Sequence, residues 1–372
     1  MKTLVLHYTS MMNIDLSYQH GWVKALKKDH HFVTTFVNLC DFNIPRNFSF
    51  ESVKKYKKIK EIIFEKYEVI IFLHSAFSNA CFVPKYLQKI ISLKKSYKVY
   101  FVGNEYKHMP EKIKFSKDLK INLFVTQSLS QKIIQLYKSE LLCDVIGIPG
   151  GGLDTEIFYP KKRFHERSID IGYRTYHEPE YFGHQERFYL LVKSKEILKE
   201  LNFKFDLSMD QRDRFIKEHW ANFINNCKSM IGTNTGFDYF EINDNIRNKV
   251  NKFSKTFKSI NLEQRNEKIY NTFFKKMKKT NSMRLISGKN IEMAGCKTLQ
   301  ILVDGDYGNY FEPDIHYIKI NKDLTNLEEC FEKLSDHNLC DTITNKAYSV
   351  VIENLKYSDH LLKLSNFIKS RI

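Results

Sequence analysis

Short apolar runs alternate with amphipathic stretches along almost the whole chain. Thr3–Tyr8, Phe32–Val37, Val69–His74, Tyr97–Val102, Ile121–Thr126 and Asp144–Ile148 read as strands. Between them the apolar spacing predicts helices near Tyr18–Asp29, over the Lys-rich Ser52–Lys66, over Pro84–Lys95 and over Ser128–Ser139. Strands this short and uniformly apolar, separated by helices, imply an α/β fold with a parallel sheet covered on both faces.

A break follows at Pro149-Gly150-Gly151-Gly152, and Tyr159-Pro160-Lys161-Lys162-Arg163 reads as a linker. The pattern then restarts. Ile169–Tyr173, Phe203–Leu207, Lys228–Ile231, Thr298–Val303 and His316–Ile320 read as strands. Arg187–Glu200, Arg212–Asn226, Asn290–Cys296, Asn326–Ser335, Asn338–Glu353 and Ser358–Ser370 read as helices, and the polar stretch 241–280 as largely helical. Two such halves in succession predict two nucleotide-binding-type domains facing across a cleft, the first over 1–155 and the second over 165–355.

Composition narrows the class. With 372 residues, 42% hydrophobic and 14% aromatic, the chain can bury a large core, which excludes a disordered protein. Only 14 Gly and 7 Pro exclude collagen-like repeats. The formal charge of +16 favours anionic partners, or reflects a Lys-rich composition with no functional meaning. The cysteines Cys40, Cys81, Cys143, Cys227, Cys296, Cys330 and Cys340 show no Cys-x-x-Cys spacing, which argues against a disulfide framework or a zinc cluster. The apolar run after Met1 is too short for a signal peptide, and Val69–Leu73 falls far short of the ~20 residues that span a bilayer. A cytoplasmic location is expected, with membrane contact only at a surface.

In open α/β sheets ligands bind beyond the carboxyl ends of strands. That rule selects His7–Asn13, His74–Asn79, Gly103–His108 and Thr126–Ser128 in the first half. In the second it selects Arg174–Gly183, Gly232–Asp238, Ser282–Asn290 and Asp304–Asn309. Near Asn290 a loop enters a short helix, whose free N–H groups favour an anion such as a diphosphate, with Lys289 adding charge. Glu292 can accept two hydrogen bonds from the vicinal hydroxyls of a ribose, or merely complement the helix dipole.

The segment Gly288–Asp323 resembles the C-terminal domain of group 1 glycosyltransferases, in their spore-maturation-type branch associated with surface polysaccharides. The resemblance rests on Lys289, Ile291, Glu292, Ala294, Gly295, Thr298, Gly305, Tyr307, Glu312, Pro313, His316, Tyr317 and Asp323. Gly151–Pro160 is similar to the family's domain-junction motif. Ile169–Arg174 is similar to the strand that delivers a phosphate-binding basic residue. The resemblance implies a GT-B architecture of two Rossmann-like domains, with 356–372 a helix crossing back to the first. It also implies retaining transfer of a sugar from a nucleotide-diphosphate donor, without metal or other cofactor. Donor binding then falls to Tyr173, Arg174, Lys289, Asn290 and Glu292, and leaving-group stabilisation to Arg174 and Lys289. His74 and Glu105, placed by strand-end geometry, would face the reacting centre or a glycan or lipid-linked acceptor. Two positions depart from the family: Arg284 stands where many members carry a glutamate eight residues before Glu292, and Lys289 replaces a common arginine.

Each candidate has a plainer reading. Arg174 would pair with Glu178 on the surface. His74 and Glu105 would be a strand-end histidine and a loop carboxylate, His316 would bond backbone, and Tyr317 would sit in the core. Asp304-Gly305-Asp306 resembles the Asp-x-Asp that holds Mn²⁺ in metal-dependent GT-A transferases, or is a glycine-centred turn. The basic runs Lys54–Lys60 and Phe273–Lys279 raise a nucleic-acid reading, without any accompanying motif. Phe273–Lys279 alternatively rests on an anionic membrane, or is a solvated helix face.

Overall fold

The computed structural model describes residues 1–9, 17–42, 50–257, 260–279 and 281–372. The chain forms two compact units: residues 1–148, 242–244 and 358–372 make the first, and 149–241 with 245–357 the second.

The first unit is built on β1 (Lys2–His7), β2 (Val33–Asn38), β3 (Val69–Phe72), β4 (Tyr97–Phe101), β5 (Leu123–Thr126) and β6 (Asp144–Gly147). All pair in parallel, in the order β2-β1-β3-β4-β5-β6. Helices α1 (Ser17–Lys28), α2 (Phe50–Phe64), α3 (Lys85–Ser92), α4 (Met109–Leu119) and α5 (Gln131–Leu141) make the crossovers. Strand β3 is buried on both faces, which is why Val69–Phe72 carries no polar alternation. Helix α4 lies in a stretch where the apolar pattern showed none. Its start is set by Pro110 in the first turn and by Asp244, which accepts from the backbone N–H of His108 at 2.6 Å.

The second unit repeats the plan. Strands β7 (Ile169–Arg174), β8 (Phe205–Ser208), β9 (Cys227–Gly232), β12 (Leu299–Val303) and β13 (Ile318–Ile320) form a parallel sheet in the order β13-β12-β9-β7-β8. Its helices are α6 (Glu186–Glu200), α7 (Lys217–Asn226), α10 (Gly288–Gly295), α11 (Leu327–Glu332) and α12 (His337–Asn354). A short antiparallel pair, β10 (Thr235–Phe237) and β11 (Met283–Leu285), was not visible in the pattern. It flanks an insert with α8 (Asn245–Ser254), α9 (Leu262–Ile269) and a wide turn at Tyr270–Phe274. Helix α13 spans Tyr357–Lys369, and from Ser358 onward it belongs to the first unit, where His360 stacks on Trp22 and Lys363 donates to the carbonyl of Gly147 at 3.0 Å.

Both sheets run second, first, third, fourth, fifth in chain order, and the first adds a sixth strand. The strand order therefore reverses between β1 and β3 in one unit and between β7 and β9 in the other, and the carboxyl ends of those pairs are where open α/β sheets place ligands. Arg167 ties the second sheet together from below. Its buried guanidinium donates to the carbonyls of Cys227 (2.9 Å) and Cys296 (2.8 Å) and to Thr298 Oγ1. His74, at the end of β3, is buried between Trp22 and Phe101, and burial pushes its pKa down to about 3.

Two outcomes follow from this packing. Arg167→Met leaves the carbonyls that Arg167 serves without donors, and is expected to cost roughly 3–5 kcal/mol in urea unfolding. At His74 the unfolded chain takes up a proton near pH 6.5 and the folded chain only near 3, so falling pH favours unfolding across that window. In His74→Gln that contribution is gone: between pH 6.5 and 5 the parent chain is expected to lose about 2 kcal/mol that the variant keeps.

Candidate functional site

The second unit gathers polar side chains at the carboxyl ends of β7 and β9 and at the start of α10. Ser287 caps α10, accepting from the backbone N–H of Asn290, while Asn290 Oδ1 accepts from the N–H of Ser287 at 3.1 Å. Asn290 is thus the third residue of a capping box and not the cap expected from the sequence. It is buried, and its amide donates to Gln300 Oε1. Its place is structural.

Glu292 lies one turn further on and is buried. Trp220 Nε1, from α7, donates to its Oε2 at 2.7 Å. That bond fixes the carboxylate's direction. Lys289, three residues earlier and so on the same helix face, donates to the carbonyl of Arg174 at 2.6 Å, with its ammonium 5.7 Å from the Trp220 ring. Crowding by protein lowers the Lys289 pKa, Arg187 and Arg214 lower it further, and Glu292 opposes them. Tyr173, on β7, is a buried core residue.

Arg174 is placed differently from expectation. Its partner is Asp206 (2.8 Å), not Glu178. Its guanidinium also donates to the carbonyls of Asp213, Tyr173 and Asp206, and it lies 4.4 Å from the Phe223 ring. Few N–H groups remain for a phosphate. Arg187, in the first turn of α6, is held less completely than Arg174, with its guanidinium 4.7 Å from the Tyr176 ring. It is buried, donates to Thr235 Oγ1 at 3.0 Å, and its Nη1 has no hydrogen-bond partner. Glu178 stands 3.8 Å from Arg187 Nε and accepts its backbone N–H, and burial raises the Glu178 carboxyl to about 7. The only sequence signal for Arg187 was its position at a helix start after a strand-end loop.

Arg284 is clamped. Its guanidinium meets both oxygens of Glu186 (2.9 and 2.8 Å) and both of Asp238 (2.7 and 3.0 Å). A residue held by two carboxylates pins β11 to α6.

In the first unit Glu105 is buried with both oxygens occupied. Thr126 Oγ1 (2.6 Å) and Tyr137 Oη (2.7 Å) donate to Oε2, and the Gln127 N–H (2.8 Å) to Oε1. Burial nevertheless raises its pKa to about 7. Lys112, also buried, donates to the carbonyls of Gly103, Asn104 and Lys107. Together they hold Gly103–His108 in a shape where Asn104 and His108 take positive φ. Glu105 thus braces this loop, and His74 packs in the core beneath it. The loop His7–Asn13 lies in part outside the described residues, as do the side chains at 54–56.

Asp306 closes a turn, its Oδ1 accepting the N–H of Gly308 at 2.7 Å and its carbonyl accepting from Asn234. Among the described residues no three His, Cys, Asp or Glu converge as metal ligands would. His316 Nδ1 accepts the N–H of Glu312, and Tyr317 is buried against Tyr307.

No family model matches the chain, and no curated protein does. Solved structures do. HepE from Anabaena, crystallised with UDP and glucose, aligns over 100% of both chains at 10% identity with a TM-score of 0.53. Sucrose-phosphate synthase from Thermosynechococcus elongatus aligns over 99% of this chain and 98% of its own, at 10% identity and a TM-score of 0.54. A glycosyltransferase from Rickettsia africae aligns over 100% and 99%, at 14% identity and 0.51. With two parallel sheets of one strand order, this likeness shows a two-domain, Rossmann-like GT-B fold.

Proposed function

We propose that the protein is a glycosyltransferase whose second unit binds a nucleotide-diphosphate sugar. The observation that carries this reading is the placing of Arg187 and Lys289 beside the Trp220-oriented Glu292 at the strand-order reversal of that unit. Arg187 and Arg214 act on Lys289 with only Glu292 opposing, and Arg187 Nη1 is buried without a partner. An anion relieves that repulsion and satisfies that N–H.

Glycosyl transfer breaks the bond between the anomeric carbon and the diphosphate oxygen, and the departing group gains negative charge as it leaves. Fixed cations at that point stabilise the transition state without a metal. We assign this role to Lys289 and Arg187. Glu292, oriented by Trp220, accepts the ribose hydroxyls. The solved complex of HepE with UDP and glucose makes UDP the first nucleotide to try. The resemblance over Gly288–Asp323 supports retention of configuration and an acceptor that is a glycan or lipid-linked intermediate of cell-surface polysaccharide. The loops His74–Asn79 and Gly103–His108 of the first unit are the proposed acceptor side. No helix among the described residues is long and apolar enough to cross a membrane.

Thermal melts with UDP, GDP, ADP, CMP and TDP, each in EDTA or Mn²⁺, test the reading. One nucleotide at ~100 times its dissociation constant is expected to stabilise the chain by about 2.7 kcal/mol in EDTA. A shift seen only with Mn²⁺ would transfer the site to Asp304 and Asp306, and no shift at all would remove the donor site. Arg187→Met and Glu292→Gln are each expected to weaken nucleotide binding about tenfold or more by calorimetric titration. Arg174→Lys is expected to lower the melting temperature while leaving that affinity within about threefold, since its guanidinium serves protein groups.

A further inference from the structure

The second surface of interest lies at the opposite end of the first unit's sheet. Among the described residues, the large apolar side chains with the greatest exposure are Leu142 (89%), Leu93 (80%), Phe64 (77%), Val33 (70%) and Ile372 (59%). Their places in the fold share one property. Val33 opens β2, and Phe64 ends α2 just before β3. Leu93 caps α3 before β4, and Leu142 caps α5 before β6. Ile372 follows Arg371, which pairs with Asp144 at the start of β6. All five therefore stand on the amino-terminal edge of one sheet, across strands spaced ~4.8 Å apart. Leu142 also holds a left-handed φ of 54°, a position that favours glycine or asparagine. A bulky leucine there is costly in backbone and in solvation alike, and a row of such residues marks an interaction surface.

Charge identifies the partner. Four carboxylates on this edge are already paired with cations. Glu65 pairs with Lys2, Asp118 with Lys114, Glu140 with Lys117 and Asp144 with Arg371, while Glu68 accepts the N–H of Lys2. Lys66, Lys95 and Lys120 are exposed and form no ion pair among the described residues. The edge thus offers apolar tips interleaved with uncommitted ammonium groups. We propose that it docks on an anionic lipid surface, the tips entering the interface and the lysines meeting headgroup phosphates. A fluid bilayer accepts separate side chains on successive loops without shape complementarity, and lysine stems reach outward to phosphate. Docking there leaves the carboxyl ends of the same strands, with their ligand-bearing loops, turned away from the lipid.

The proposal differs from the alternative weighed for Phe273–Lys279. Phe273, Phe274 and Met277 pack into a small core with Tyr239, Val250 and Ile269, and only Lys275, Lys276, Lys278 and Lys279 of that run are exposed. The proposal does not depend on the transferase reading.

Co-sedimentation of the full chain with vesicles tests it, using phosphatidylcholine alone and phosphatidylcholine with phosphatidylglycerol in equal parts. Sedimentation with the mixed vesicles is expected. Phe64→Ser with Leu93→Ser, both at exposed positions, is expected to weaken it about tenfold or more. Lys66→Glu, Lys95→Glu and Lys120→Glu are expected to weaken it about fivefold each. Lys275→Ser, Lys276→Ser and Lys278→Ser together are expected to leave it unchanged. Absence of binding to mixed vesicles overturns the proposal, as does equal binding to phosphatidylcholine alone. So does loss of binding in the 275–278 variant with the edge variants unaffected. A concentration-dependent dimer in light scattering that Phe64→Ser with Leu93→Ser dissolves would assign the edge to a second copy of the chain, and overturn the lipid reading.

Discussion

The burial of helix α10 is the constraint on which the second unit depends. From Asn290 to Gly295 every residue of this short helix is inside the protein. Such a helix cannot leave its first N–H groups to water, and the Ser287–Asn290 capping box satisfies part of that demand. Its far end meets Leu153 so closely that a β-carbon on Gly295 would lie 2.2 Å from Leu153 Cδ1. Glycine there, and the Gly152-Leu153 turn that brings Leu153 in, are requirements of close packing. The helix is thereby fixed at both ends, and the Lys289 ammonium and Glu292 carboxylate it carries are fixed with it.

The basic residues divide into those spent on the fold and those left for a ligand. Arg167 serves backbone carbonyls, Arg284 is held by Glu186 and Asp238, Arg174 by Asp206 and three carbonyls, and Lys112 by the loop it braces. Each of these charges is desolvated and answered by protein oxygens, which is the condition for burying a cation. Arg187 and Lys289 are answered incompletely, and they stand where the strand order reverses.

Much of the plan was legible in the chain. The apolar runs located the parallel strands, because strands covered on both faces cannot alternate polar residues. The junction after Ile148 was marked by Pro149 and three glycines, and the boundary between units falls there. Helix α4 escaped notice because its apolar face is interrupted by the buried Lys112 and Ser116, whose polar groups find backbone carbonyls. The β10–β11 pair escaped because its strands are three residues each and separated by 45 positions of sequence.

By itself the sequence determined two α/β units, the loops at their strand ends, and the grouping of Lys289 and Glu292, since these depend on local spacing and on the periods of helix and strand. Only the tertiary structure decided the partners of Arg174, Arg187, Glu105 and His74. A charged or polar side chain reads alike in a sequence whether it is spent or available. What settles the matter is the set of partners within about 3 Å, and those partners come from residues tens to hundreds of positions away.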